Sequence, residues 1–362
     1  SIWNSNTEAP LRRRIMTKDI KVKISNLTKI FGPKANSVLK YVDNGMTKDD
    51  LLKEHKHVLG LSNINLNLAN KNIEVIMGLS GSGKSTLIRH INRLIEPTAG
   101  SIVIDGEDVI QMPLEKLRLF RQQKTAMVFQ SFALLPHKTV LDNVCLGVHL
   151  QGISGDEAFN RARKWINRVG LDGYEDRYPS QLSGGMQQRV GLARALTCDT
   201  EILMMDEAFS ALDPLIRSDM QDLLLELQKE LHKTIIFITH DLDEALKIGD
   251  QIAILNGGEL VQHGSPQDII MMPADDYVKD FVKKVNRSHV LQAKSVMTLD
   301  KPKKGSKNIS VNEIESIDSV LCEMLRQNAD SCVVKNSNGD EVGYLNKKDI
   351  AEVVQPIEAV DH

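Results

Sequence analysis

Aromatic residues are scarce, at 4% of 362 positions, which argues against a nucleic-acid binder built on base stacking. Neither sign of charge dominates. The 45 Lys and Arg face 48 Asp and Glu, for a formal net charge of −3 with histidines neutral. Global attraction to nucleic acid has no support, and no nucleic-acid partner is expected. Long apolar runs are missing too. Residues 201–206 enclose only Ile-Leu-Met-Met and residues 234–239 only Ile-Ile-Phe-Ile, against the roughly 20 apolar residues of a spanning helix. The chain is not expected to cross a membrane by itself. Cys145, Cys198, Cys322 and Cys332 show neither a CxxC pair nor zinc spacing, so four reduced thiols of a cytosolic protein are expected. The start of the chain carries Arg12-Arg13-Arg14 but no apolar stretch of a secretory signal. Residues 1–19 are expected to be a disordered lead, with Met16-Thr17-Lys18 resembling a natural start.

What is present points to an ordinary folded chain. Hydrophobic residues make up 41%, and the length suggests two to three domains at about 150 residues each. Alternation in KVKISNL (21–27) predicts an edge strand, and residues 64–68 alternate again. Between them, residues 33–61 predict two short helices, with Thr47 and Asp50 spaced as a capping box. Residues 73–77 predict a buried strand, followed by a glycine loop and a helix over 84–94. A helix over 154–170 is expected to open with a capping box of Ser154 and Glu157 and to pack Trp165 inside. Helices over 189–196 and 216–231 alternate with apolar strands over 201–206 and 234–239, the pattern of a parallel sheet. Residues 252–263 read as a hairpin about Asn256-Gly257-Gly258. Past the basic stretch 301–307, a strand–helix–strand–strand–helix unit runs to residue 354.

Three stretches carry chemistry. Gly78-Leu-Ser-Gly-Ser-Gly-Lys-Ser85 matches GxxxxGK[ST] after an apolar strand and before a helix. Its glycines let the backbone wrap phosphates, and N–H groups at the helix start point at negative charge. Gly78, Ser80, Gly81, Ser82, Gly83, Lys84, Ser85 and Thr86 are therefore candidate nucleotide-binding residues. Lys84 supplies a cation to the β and γ phosphates, and the Ser85 hydroxyl a ligand to magnesium. Second, the strand ending in Asp206-Glu207 places one carboxylate to orient magnesium and the next to polarise a water. Third, Ser183-Gly184-Gly185 opens a helix and forms a second anion-binding N-terminus. Since residues 78–85 already cradle phosphate, the second makes sense if it caps a γ-phosphate held by another subunit.

With that stretch the chain resembles the ATP-binding subunits of ABC transporters, over roughly residues 20–290. The resemblance implies further roles. Gln130 is similar to the Q-loop residue that contacts magnesium and water, Asp213 to the D-loop residue linking two sites, and His240 to the switch histidine. Phe31, in Lys-Ile-Phe-Gly, resembles the aromatic that stacks on adenine. The implied fold is α/β: a P-loop NTPase with a RecA-like core, an antiparallel β subdomain and a helical signature region over 131–195. ATP and magnesium are the implied cofactors. A second copy of the chain, a transmembrane permease and, indirectly, an extracytoplasmic binding protein are the implied partners. The implied location is the cytoplasmic face of the plasma membrane, through the permease.

The resemblance narrows to importers of glycine betaine, proline and related quaternary amines. The insert 33–61, the stretches Asn92-Arg-Leu-Ile-Glu-Pro97 and 130–143, and the stretch 206–217 carry it. An importer of choline, carnitine or polyamine, and a non-transport ABC ATPase, are the other readings. The latter proteins typically carry long coiled-coil insertions or two cassettes, and neither is seen. Residues 295–362 resemble a single CBS module, with Asn346 where Thr or Ser is usual and Asp349 at the nucleotide-binding Asp. A packing or dimerisation role is favoured for this tail over ligand binding.

Overall fold

The computed structural model describes residues 19–283, 285–302 and 306–354. Most of the expected N-terminal lead, with Arg12-Arg13-Arg14, and Lys303 and Lys304 of the basic stretch lie outside the described residues. Thirteen strands are found among the described residues: β1 (Ile20–Phe31), β2 (Val58–Ala69), β3 (Ile73–Met77), β4 (Ala99–Ile104), β5 (Glu107–Asp108), β6 (Thr125–Phe129), β7 (Ile202–Asp206), β8 (Thr234–Thr239), β9 (Gln251–Asn256), β10 (Glu259–Gly264), β11 (Asn308–Asn312), β12 (Ser331–Lys335) and β13 (Glu341–Asn346). They form sheets in the orders β2-β1-β4-β5, β10-β9-β3-β8-β7-β6 and β11-β12-β13. By contact density the described chain divides into two units, one up to His240 with Ala253–Leu260, the other Asp241–Ile252 with the residues from Val261 onward.

In the first unit, β3, β7 and β8 are buried at every position. Continuous burial is what a parallel strand covered on both faces requires, and it explains why these strands read as apolar runs rather than as alternations. The helix Lys84–Ile91 covers one face with Leu87, Ile88 and Ile91, all fully buried. It stops short of the expected residue 94 because Arg93 turns to φ +53°.

The antiparallel sheet corrects one expectation. β1 is not an edge strand, since it pairs with β2 on one side and β4 on the other. Alternation reports which face is buried; it carries no information about hydrogen-bonded neighbours. Between β1 and β2 the insert forms the helices Leu39–Asp43 and Lys48–His55, and Thr47 caps the second through the Asp50 N–H. Their apolar sides meet Ile30 and Leu59 in a small cluster with Val38 and Leu51.

Helices Val140–Leu150, Gly155–Arg168 and Gly184–Thr197 pack against one another, the last of them also against β6. Trp165 is buried there, as the sequence predicts. The Ser154–Glu157 capping box does not form: Gly155 opens the helix at φ +64°, and the Ser154 hydroxyl makes no cap hydrogen bond. In the second unit, parallel β11 and β12 flank the helix Ile317–Arg326, and antiparallel β13 precedes the helix Lys347–Val354. Ile309, Val311, Val320, Cys332, Val334 and Leu345 are buried there.

An ion-pair cluster ties the two larger sheets. Lys21 of β1 reaches both Asp105 and Glu201, and Lys124 binds the same two carboxylates at 3.6 and 2.6 Å. Hydrogen bonds from Lys124 and then Lys21 depress the Glu201 carboxyl from its ordinary 4.5 to about 2. A depressed carboxyl contributes stability that is complete above its unfolded value and is lost as pH falls through the folded one. Glu201→Gln is therefore expected to lower unfolding stability by about 1 kcal/mol at neutral pH, discounted for its half-exposed carboxylate. The difference from the parent should vanish as pH approaches 2, a profile that denaturant melts across the acid range will read.

Candidate functional site

Four adjacent parallel strands end within one residue of one another. Phe129 of β6 lies opposite Asp206 of β7, Asp206 opposite Ile238 of β8, and Met77 of β3 opposite Thr239. The next residues along the chain are Gln130, Glu207, His240 and Gly78. Strand register alone thus brings four widely separated stretches to one sheet edge, the carboxyl end where open α/β sheets bind ligands.

Lys84 is buried, and its Nζ donates to the carbonyls of Gly78 and Leu79 at 2.8 and 3.0 Å. It stands 3.9 Å from Glu207 Oε1. Burial lowers the Lys84 ammonium from its usual value, while Glu207 and Asp206 oppose that shift. Gly78 has φ +152°, and a Cβ there would lie 2.2 Å from the Leu255 carbonyl oxygen. Only glycine fits. Ser80 and Gly81 are exposed, and Gly83 stands at the N-cap of the helix that carries Thr86 in its first turn. Ser82 is buried, and its hydroxyl has no hydrogen-bond partner among the described residues.

The Ser85 hydroxyl donates to Asp206 Oδ1 at 2.8 Å, and Arg89 Nη2 stands 3.5 Å from Asp206 Oδ2. No cluster of three or more His, Cys, Asp or Glu among the described residues could cage a metal. One hydroxyl beside one carboxylate fits magnesium, a hard ion that keeps waters and takes phosphate oxygens as its other ligands.

Glu207 is held in a left-handed conformation, φ +47°, which a non-glycine residue adopts at a cost of about 1–3 kcal/mol. Its N–H donates to the Ile238 carbonyl at 3.2 Å, and its Oε2 lies 3.6 Å from His240 Nδ1. Ser210 Oγ donates to the Glu207 carbonyl at 2.9 Å and accepts from Gln130 Nε2 at 3.1 Å. Gln130 thereby connects to Glu207 through one hydroxyl. The loop after Gln130 is pinned by the buried Asn143, which accepts from the Leu135 N–H and donates to three loop carbonyls, and by Arg194 on the carbonyls of Phe132 and Ala133.

Ser183 caps the helix Gly184–Thr197 by accepting from the Met186 N–H. Ser183 and Gly184 are exposed. A Cβ on Gly185 would lie 2.5 Å from Ile216 Cγ2. Ile216 belongs to the helix Pro214–Leu231, whose N-cap is Asp213, with its side chain accepting from the Ile216 N–H at 3.1 Å. Phe31 is two-fifths exposed, at the end of β1. Lys29 Nζ stands 5.1 Å from its ring centroid. The β1–β2 register slips between Lys29↔Leu61 and Ile30↔Leu59, which leaves Gly60 as a bulge, and a Cβ on Gly60 would lie 2.6 Å from Phe31 Cε2. In the tail, Asn346 and Asp349 are engaged with each other: Asn346 Oδ1 accepts from the Asp349 N–H and Asp349 Oδ2 from the Asn346 N–H, each at 3.0 Å.

The sequence alone gives Gly60 no role, Gly258 only a place in a hairpin turn, and Ser210 only a place in the D-loop-like stretch Ser210-Ala-Leu-Asp213. Gly258 was legible only as a turn, yet its N–H donates to Ser82 of the phosphate loop and its carbonyl accepts from Ser62 of β2. Ser210 sits inside the Ser-Ala-Leu-Asp stretch, but only the fold shows that its hydroxyl lies between Gln130 and Glu207.

A glycine phosphate loop, a strand-end Asp-Glu and a facing histidine on one parallel sheet define a P-loop nucleoside triphosphatase. The profile described as ABC transporter matches residues 61–210. The glycine betaine transport ATP-binding protein of Bacillus subtilis is 50% identical over 83% of this chain and 74% of that protein. The glycine betaine/proline betaine transport system ATP-binding protein of Escherichia coli is 52% identical over 76% and 69%. The dimeric structure of a bacterial ABC transporter cassette aligns with a TM-score of 0.58 at 32% identity, covering 68% of this chain and 98% of that one. This chain belongs to the ATP-binding proteins of ABC transporters. It is an ATPase of the kind whose turnover is coupled to transport, and no helix among its described residues is long and apolar enough to cross a membrane.

Ser210→Ala removes the hydroxyl between Gln130 and Glu207. One such hydrogen bond is worth about 1 kcal/mol, so turnover of ATP should fall about fivefold with KM little changed. Steady-state phosphate release will measure this.

Proposed function

We propose that two copies of this chain sandwich two ATP molecules head to tail and that hydrolysis drives an importer of glycine betaine, proline betaine or a related quaternary amine. The adjacent strand ends that gather Gly78, Gln130, Asp206, Glu207 and His240 carry this reading. Each site takes residues 78–86 from one chain, with Phe31 against adenine, and Ser183, Gly184 and Gly185 from the other. Asp213, at the N-cap of the helix whose Ile216 abuts Gly185, links the two sites.

Glu207, next to the strand-end Asp206, polarises the attacking water. His240 stands close enough to Glu207 to hold that carboxylate and the water in line. Lys84 exchanges its loop carbonyls for phosphate oxygens. Ser85, Asp206 and Gln130 would hold magnesium, which when bound offsets charge on the β and γ oxygens. No covalent intermediate forms; catalysis is positioning and charge stabilisation. The substrate class follows from relatives whose names specify glycine betaine, together with the insert 33–61. In this reading the chain is docked at the cytoplasmic face of the membrane on a permease that an extracytoplasmic binding protein supplies. Residues 20–290 form the ATPase domain and residues 295–362 a single CBS-like domain.

Glu207→Gln should keep ATP binding and lower turnover at least about a hundredfold, the weight of a general base. In vesicles holding the permease it should also abolish ATP-driven uptake of radiolabelled glycine betaine. Parent vesicles that accumulate choline but not glycine betaine would contradict the substrate class. Ser183→Arg tests the shared sites: mixed with Glu207→Gln chains, it should trap fewer ATP molecules per dimer than Glu207→Gln alone. Full trapping in every mixed dimer would show that each chain completes its own site.

A further inference from the structure

We infer that His57, at the exit of the insert, positions Phe31 for the adenine base and so sets base affinity. This inference rests on the reading of Phe31 as the base-stacking residue. The helix Lys48–His55 ends at Lys56, which turns to φ +57° and donates to the Leu51 and Leu52 carbonyls. That turn sends His57 back toward the end of β1. His57 is buried, with Nδ1 2.6 Å from the His55 carbonyl oxygen and Nε2 2.8 Å from the Pro33 carbonyl oxygen. Both partners are acceptors, so whichever nitrogen carries hydrogen donates to one of them.

The ring also covers Gly32. A Cβ on Gly32 would lie 2.4 Å from His57 Cδ2, and Gly32 has φ +145°. Phe31 is the residue before Gly32, and its Cα pairs with Val58, the residue after His57. Phe31 is therefore bracketed. Gly60 supports one part of its ring, and the chain leaving it is fixed by an imidazole over Gly32 and on Pro33. An exposed ring at a strand end has several rotamers open to it, and stacking requires one. Fixing the backbone on either side narrows that choice before the nucleotide arrives. His57 touches no phosphate-loop residue in the described contacts, so its influence should fall on the base and spare the triphosphate.

Equilibrium titration calorimetry on the full chain separates the two, with ATP and base-free inorganic tripolyphosphate as probes. Phe31→Ala and His57→Ala should each weaken ATP about tenfold, the lower range of base stacking on an aromatic side chain. Both should leave tripolyphosphate affinity unchanged. His57→Gln keeps an N–H within reach of the Pro33 carbonyl and should recover most of the loss. Gly32→Ala pushes the ring away from outside and should reproduce His57→Ala, which covers the case where that variant folds poorly. If Phe31→Ala weakens ATP and neither His57→Ala nor Gly32→Ala does, the positioning role is overturned and base stacking stands. If Phe31→Ala changes nothing, the base-stacking reading itself falls. If His57→Ala weakens ATP and tripolyphosphate alike, or His57→Gln recovers nothing, His57 serves the fold only and the inference fails.

Discussion

The register of β6, β7, β8 and β3 is the constraint on which the site depends. Phe129, Asp206 and Ile238 are paired across the sheet and Met77 pairs one residue further on, with Thr239. Gly78, Gln130, Asp206, Glu207 and His240 all stand at those strand ends or one residue beyond them. A slip of one residue in any strand would turn its apolar side chains to the other face and carry its functional residue out of reach. Full burial of β3, β7 and β8 on both faces makes such a slip costly. The core therefore does more than stabilise this protein: it sets the positions at which phosphate and water would be handled.

Hydroxyls and backbone join the stretches at that edge, beside the charged contacts of Lys84, Arg89 and His240 with Asp206 and Glu207. Ser85 joins the phosphate-loop helix to Asp206, Ser210 joins Gln130 to Glu207, and Gly258 joins the hairpin turn to Ser82. A second set of charges stands at the other end of the strands, where Lys21 and Lys124 hold Asp105 and Glu201. Glu207, in a left-handed backbone with its carbonyl held by Ser210, is a strained point at the site edge.

The sequence made the phosphate loop, the Asp206-Glu207 strand end and the strands over 73–77, 201–206 and 234–239 legible, because each is local, whereas β4, β5, β6 and the helices Leu114–Gln123 and Val140–Leu150 went unread and His240 entered only through the family resemblance. A buried parallel strand is an apolar run, and a glycine loop is a string of letters. What could not be read is what depends on a distant partner. The placement of β1 between two strands, the bulge at Gly60 and the docking of Gly258 on Ser82 leave no periodic trace. Ser154 and Glu157 had the spacing of a capping box, yet Gly155 turned the wrong way for it. The fixing of Phe31 by His57 spans a whole insert and was likewise invisible.

The pairing of Phe31 with Val58 has a consequence for how such a chain can diversify. The two ends of the β1–β2 connection are held side by side by the sheet, so the length between them is almost free to vary. Closing a loop twice as long costs only about 0.6 kcal/mol more in chain entropy. The helices Leu39–Asp43 and Lys48–His55 are seated on Ile30 and Leu59 next to those fixed ends. New sequence can accumulate at this point and be tried against partners without disturbing the register of the parallel sheet, provided the residues that re-enter β2 still brace the chain where it left β1.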